Sequence, residues 1–83
     1  MNDRKKMTLQ RFKMAYANAL KLLPRLTKRQ HTNARAYLAL VIETNPPRKM
    51  RDVSERQLAL YTLRLEGVIL GLTLVLDATE IGK

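Results

Sequence analysis

The chain offers little for bond-breaking chemistry. It has one histidine, His31, one serine, Ser54, and no cysteine. A nucleophile needs a base within hydrogen-bond reach, and no spacing brings His31 to Ser54 or to a carboxylate. His31 falls instead on the apolar side of a helical pattern, where a packed or cap-bonded ring is the usual state. A metal ion needs three or four nitrogen, sulfur or oxygen ligands, and none cluster in the sequence. Gly67 and Gly71 sit inside a helical pattern and lack the lysine-threonine ending of a phosphate loop. The residues read as a protein that is not an enzyme, with no metal and no cofactor.

What the chain has in quantity is positive charge. Formal net charge is +9 over 83 residues. It is divided unevenly, at +11 over residues 1–51 and −2 over residues 52–83. Residues 4–42 contain no acid at all. Such a field attracts phosphates or an acidic protein; it describes partners, not fold. Two clusters stand out. Arg25, Lys28, Arg29 and Arg35 surround the first connection between helices, and Arg48, Lys49 and Arg51 lie on the second. On duplex DNA each neutralised phosphate adds about 0.9 to the salt slope.

Three helices position these cations, over residues 4–23, 28–44 and 53–78. The first follows Asn2 or Asp3 as cap. It has an apolar face of Leu9, Phe12, Tyr16, Ala19, Leu20 and Leu23, roughened by Met7, Met14 and Leu22, opposite Lys6, Arg11, Lys13 and Lys21. Pro24 disfavours helical geometry at Leu23 and stops it. The second opens on a capping box, Thr27 with Gln30, and turns His31, Ala34, Leu38, Val41 and Ile42 inward. Asn45-Pro46-Pro47 ends it. Residues 46–51 are a short stiff connector. About seventeen residues of helix would hold the two basic clusters roughly 25 Å apart.

The third helix organises the molecule. Its start is ambiguous between Asp52 and Ser54 as cap, and after Ala78 the tail is expected to fray, with Gly82 as a possible cap. Leu58, Tyr61, Leu65, Val68, Leu72 and Val75 form one seam at helical spacing. Leu60, Leu63, Gly67, Leu70, Gly71 and Leu74 lie on the other side, about 200° away. Between them Glu55, Thr62, Glu66, Thr73 and Glu80 form a strip expected to stay wet. An apolar helix with two opposite seams is sandwiched, and an 83-residue chain has little of its own to cover both. The second seam is therefore assigned to a homodimer. Gly67 and Gly71 each cost up to about 1 kcal/mol within a helix, and small residues four apart admit a close backbone.

A membrane span is not expected, because Arg64 and Glu66 leave an uncharged run only from Gly67 onward, well short of the roughly 20 residues required. Arg4-Lys5-Lys6 is followed by no apolar run, so no signal peptide is expected and the assigned location is cytoplasmic. The aromatic residues Phe12, Tyr16, Tyr37 and Tyr61 fall on apolar stripes and read as core.

The residues Arg51-Asp52-Val53-Ser54-Glu55-Arg56 bear a passing likeness to the start of the second helix in the all-helical chorismate mutases. The acid–base order at Glu55-Arg56 is reversed relative to that family, and Pro24 breaks the long first helix the family has. The likeness covers six residues, and no role is carried over from it.

The sequence thus reads as an all-α single domain: a basic helical hairpin over residues 1–51 and a long apolar assembly helix over residues 52–83. The expected function is nucleic-acid binding, to DNA or RNA, through backbone phosphates, by a homodimer. The alternative is a small inhibitor or adaptor that docks its basic surface onto an acidic protein.

Overall fold

The computed structural model describes residues 3–27 and 29–81, the side chains of 79–81 excepted. The fold is all-α. Helix α1 covers Asp3–Leu22, α2 Thr32–Thr44, α3 Pro47–Met50 and α4 Glu55–Ile81, with a 3-10 turn at Leu23–Arg25; there is no strand among the described residues. The molecule measures 48 × 20 × 16 Å, elongated because α4 alone extends for about 40 Å at 1.5 Å per residue.

Helix α1 lies along α4 and runs in the same direction. Arg11 meets Glu66, and one turn further on Ala15 and Asn18 flank Ile69 and Thr73. The buried side of α1 is Leu9, Phe12, Ala15, Ala19 and Leu22, at spacings of three and four. Ala15 and Leu22 belong to this stripe, whereas Leu20 is 47% exposed. The small Ala15 and Ala19 sit where the helices touch, and larger side chains there would hold them apart.

Helix α4 buries Leu58, Thr62, Leu65 and Leu76, with Ile69 and Leu72 partly covered between them. That line is turned by roughly 50° from the expected seam, at 100° per residue. Thr62 was expected to stay wet and is 1% exposed. Its hydroxyl donates to the Leu58 carbonyl at 2.8 Å, so burial leaves no unpaired donor and its methyl packs as an apolar group. Val75, placed on the inner seam by spacing, is 46% exposed. Glu66 is held by Arg11 and is not simply solvated.

Helix α2 returns antiparallel to both. Near its far end the Tyr16 hydroxyl donates to the Ile42 carbonyl at 3.1 Å. It begins at Thr32, later than the spacing suggested, because Thr27 caps an isolated turn. The Gln30 N–H donates to the Thr27 hydroxyl oxygen at 3.1 Å, and the Thr27 N–H donates to His31 Nδ1 at 3.2 Å. The reciprocal half of the box is thus supplied by His31, not Gln30. The other ring nitrogen, Nε2, is buried without a hydrogen-bond partner among the described residues. Leu26, fully buried, plugs the core beneath this turn.

The connector winds into one helical turn, α3, that buries Met50, while Lys5 Nζ donates to the Arg51 carbonyl at 2.8 Å. At the start of α4 the structure selects Ser54. Its hydroxyl accepts from the Gln57 N–H at 3.2 Å. The helix then continues three residues past Ala78, to Ile81. Asn2 and Gly82, considered above as caps, and the Glu80 side chain lie outside the described residues.

This packing separates two kinds of leucine on one helix. Replacing the fully buried Leu58 by alanine should lower unfolding free energy by about 2–5 kcal/mol. Leu70→Ala, at a side chain 63% exposed, should change the urea midpoint of the monomer little.

Candidate nucleic-acid interface

The basic clusters expected from the sequence occupy the two ends of α2. At one end are Arg25, Arg29 and Arg35; Lys28 lies outside the described residues. At the other are Arg48, Lys49 and Arg51, on α3 and just beyond it. With α2 at 13 residues the ends are roughly 20 Å apart, somewhat closer than the sequence suggested.

These cations are not equivalent. Arg35 is partly buried, and its Nη1 donates to the carbonyls of Leu23 at 3.1 Å and Leu26 at 2.8 Å. Those carbonyls close the end of α1 and its 3-10 turn, so Arg35 ties α2 to α1. By contrast, Arg29, Arg48, Lys49 and Arg51 are exposed and have no carboxylate partner among the described residues. Lys13 and Lys21, on the solvent side of α1, are in the same condition. Arg11 is engaged. Its Nε and Nη2 donate to the two Glu66 carboxylate oxygens at 2.8 and 2.7 Å. Hydrogen bonding to Glu66, then its charge, holds Arg11 still more firmly protonated than usual.

The six residues assigned above to assembly, Leu60, Leu63, Gly67, Leu70, Gly71 and Leu74, lie along α4 with the leucines 50–63% exposed. A Cβ added at Gly67 or Gly71 would meet nothing within 4 Å among the described residues, so neither glycine is required by their packing. The stretch Glu55–Ala78 is long and apolar enough to cross a membrane by length and composition, and only 17% of its most apolar window is buried. Helix α1 lies against it, however. Insertion would either carry Arg11, Lys13 and Lys21 into hydrocarbon or strip α1 away, and charges at depth are costly.

One feature has no counterpart in the sequence pattern. Between α2 and α4, which touch sparingly, lies a cleft of about 180 Å³ lined by Phe12, Tyr16, Tyr37, Val41, Asn45, Tyr61, Arg64, Leu65 and Val68. Phe12 and Leu65 form its buried floor, and Phe12 stacks with Tyr16 at a centroid distance of 6.3 Å. Tyr37, read as core, is 54% exposed. Arg64 is exposed on the rim, and no described carboxylate pairs with it. The signal available in the sequence was Arg64 itself, a cation breaking an otherwise apolar helix.

No protein family, curated protein or solved structure matches this chain.

The geometry distinguishes fastening cations from free ones. Arg35→Ala should cost about 1–3 kcal/mol of stability, the range for removing a hydrogen bond to a charged group. Arg29→Ala should leave the urea midpoint within experimental error, although both remove one charge.

Proposed function

We propose that the protein is a small basic nucleic-acid-binding factor that grips backbone phosphates through its N-terminal half and assembles as a homodimer through α4. The observation that carries this reading is the exposed set Arg29, Arg48, Lys49 and Arg51 at the two ends of α2, without carboxylate partners among the described residues. Such cations keep their field for an external anion. Two clusters roughly 20 Å apart suit a long polyanion better than a compact metabolite.

The assembly half rests on the α4 seam. Burying its half-exposed leucines gains about 1 kcal/mol each, roughly half the value for complete burial. Eight such side chains across a two-fold interface give a gain of the same order as the roughly 4–15 kcal/mol cost of association. The dimer is therefore concentration-dependent. Arg56 and Asp77, both exposed, fall on the same seam at its two ends. Antiparallel pairing sets each beside its opposite charge, and parallel pairing sets like against like. The antiparallel arrangement also carries the Arg48–Arg51 clusters to opposite ends of the assembly, lengthening the basic track.

Fluorescence anisotropy with duplex DNA and single-stranded RNA across a salt series tests the binding half. Neutralising Arg48, Lys49 and Arg51 together should reduce the slope of log affinity against log salt by about 0.9 for each duplex phosphate that is no longer neutralised. An absence of binding at low salt sinks the reading.

Sedimentation tests the assembly half. Gly67→Ala and Gly71→Ala should stabilise the isolated monomer by up to about 1 kcal/mol each, because no atom of the described residues opposes the added methyl. Gly67→Leu and Gly71→Leu should nevertheless weaken the dimer. Dimerisation unchanged by both leucine substitutions would rule out close approach at the glycines.

A further inference from the structure

We infer that the cleft between α2 and α4 takes one unpaired base of a single-stranded nucleic acid, which donates a hydrogen bond to Asn45. The inference rests on the nucleic-acid reading above and goes beyond it, since backbone charge alone selects no strand and no base.

Size sets the first limit. At about 180 Å³ the cleft is smaller than the roughly 300–1,000 Å³ of sites that engulf a metabolite. It has room for one flat ring held at the end of a chain that stays outside. Its walls are suited to such a ring. Tyr37 and Tyr61 offer aromatic surface on opposite sides, from α2 and α4, and Phe12 and Leu65 close the bottom. Tyr16 is fixed as wall by its bond to the Ile42 carbonyl. Unstacked bases are taken up on such aromatic faces, and every base has one.

Two polar groups orient the ring. Asn45 has its amide nitrogen committed, at 3.3 Å to the Val41 carbonyl and 3.1 Å to the Thr44 hydroxyl. Its carbonyl oxygen is left to accept, and so matches a donor on the ligand. Every unpaired base offers one, an exocyclic amino group on adenine, cytosine and guanine and the ring N3–H on thymine and uracil, so the oxygen orients a base without choosing among them. Arg64, on the rim, then meets the phosphate adjoining the inserted base or lies over its π-face. The surrounding positive field of α1 and α3 brings the strand there.

The absence of tryptophan makes the test direct, because ultraviolet emission comes from Tyr16, Tyr37 and Tyr61. Cytosine, thymine and abasic strands of equal phosphate number, each in deoxyribo and ribo form, are titrated at one salt concentration, reading anisotropy and tyrosine emission. The cytosine and thymine strands should each bind roughly tenfold more tightly than the abasic one, within the range that one stacked base contributes, and should quench tyrosine emission. Tyr37→Ala, at an exposed position, should bring cytosine binding down to the abasic level, and Tyr37→Phe should retain it. Arg64→Gln serves as a second variant should Tyr37→Ala misfold by circular dichroism. The deoxyribo and ribo arms tell which nucleic acid supplies the base. Equal binding of cytosine and abasic strands overturns the base site and leaves the phosphate-gripping function standing. Failure of every strand to bind removes that function and this site together.

Discussion

The packing of α1 on α4 is the constraint on which the rest of the structure depends. It is the one extensive helix–helix interface among the described residues, and the small, buried Ala15 lies on it beside Ile69 and Thr73. Small residues on one helix let larger ones on the other fill the gap, as close-packed interiors require. The Arg11–Glu66 fork, two hydrogen bonds at 2.8 and 2.7 Å, adds a fixed register more than it adds energy. Exposed ion pairs contribute little to stability, but a bidentate pair has only one good geometry.

Helix α2 is mounted on this pair by different means. Leu38 is fully buried and Val41 and Ile42 pack partly against the core, and the remaining fixings are polar: Arg35 on the Leu23 and Leu26 carbonyls, and the Tyr16 hydroxyl on the Ile42 carbonyl. At the helix start His31 caps the Thr27 turn. Directional bonds at the ends of a helix hold it in place without pressing its whole length against its neighbour. The cleft beside α4 stays open for that reason, and the basic ends of α2 stay at a set separation.

Sequence spacing revealed the helix content and the outer α4 seam. Period and charge are local properties, and Leu60, Leu63, Leu70 and Leu74 needed only to be counted. It misjudged the inner seam, because hydropathy treats threonine as polar. Thr62 bonds its own helix at Leu58, and that places it in the core. The shift turns Tyr61, Arg64 and Val68 toward α2, and the cleft they help to line is a product of three helices that no single-helix pattern displays. Likewise the later start of α2 follows from His31 taking the capping role that residue type assigned to Gln30. Both sit within hydrogen-bond reach of Thr27, and only the geometry decides between them.

The two faces of α4 are not independent. Leu63 lies on the exposed seam, and Arg64, the next residue, stands at the rim of the cleft. A second helix drawn close at Gly67 would screen the water beside Arg64 and lower the local dielectric around it. A charge in a less polar setting interacts more strongly with an opposite charge, so an anion held at Arg64 would gain from the proposed assembly. Linkage makes the effect mutual: a ligand that binds the dimer more tightly than the monomer must also favour the dimer. On the proposed reading, the exposed apolar seam of α4 would join assembly to ligand. A chain of this size that buried every leucine in its own core would have no such connection.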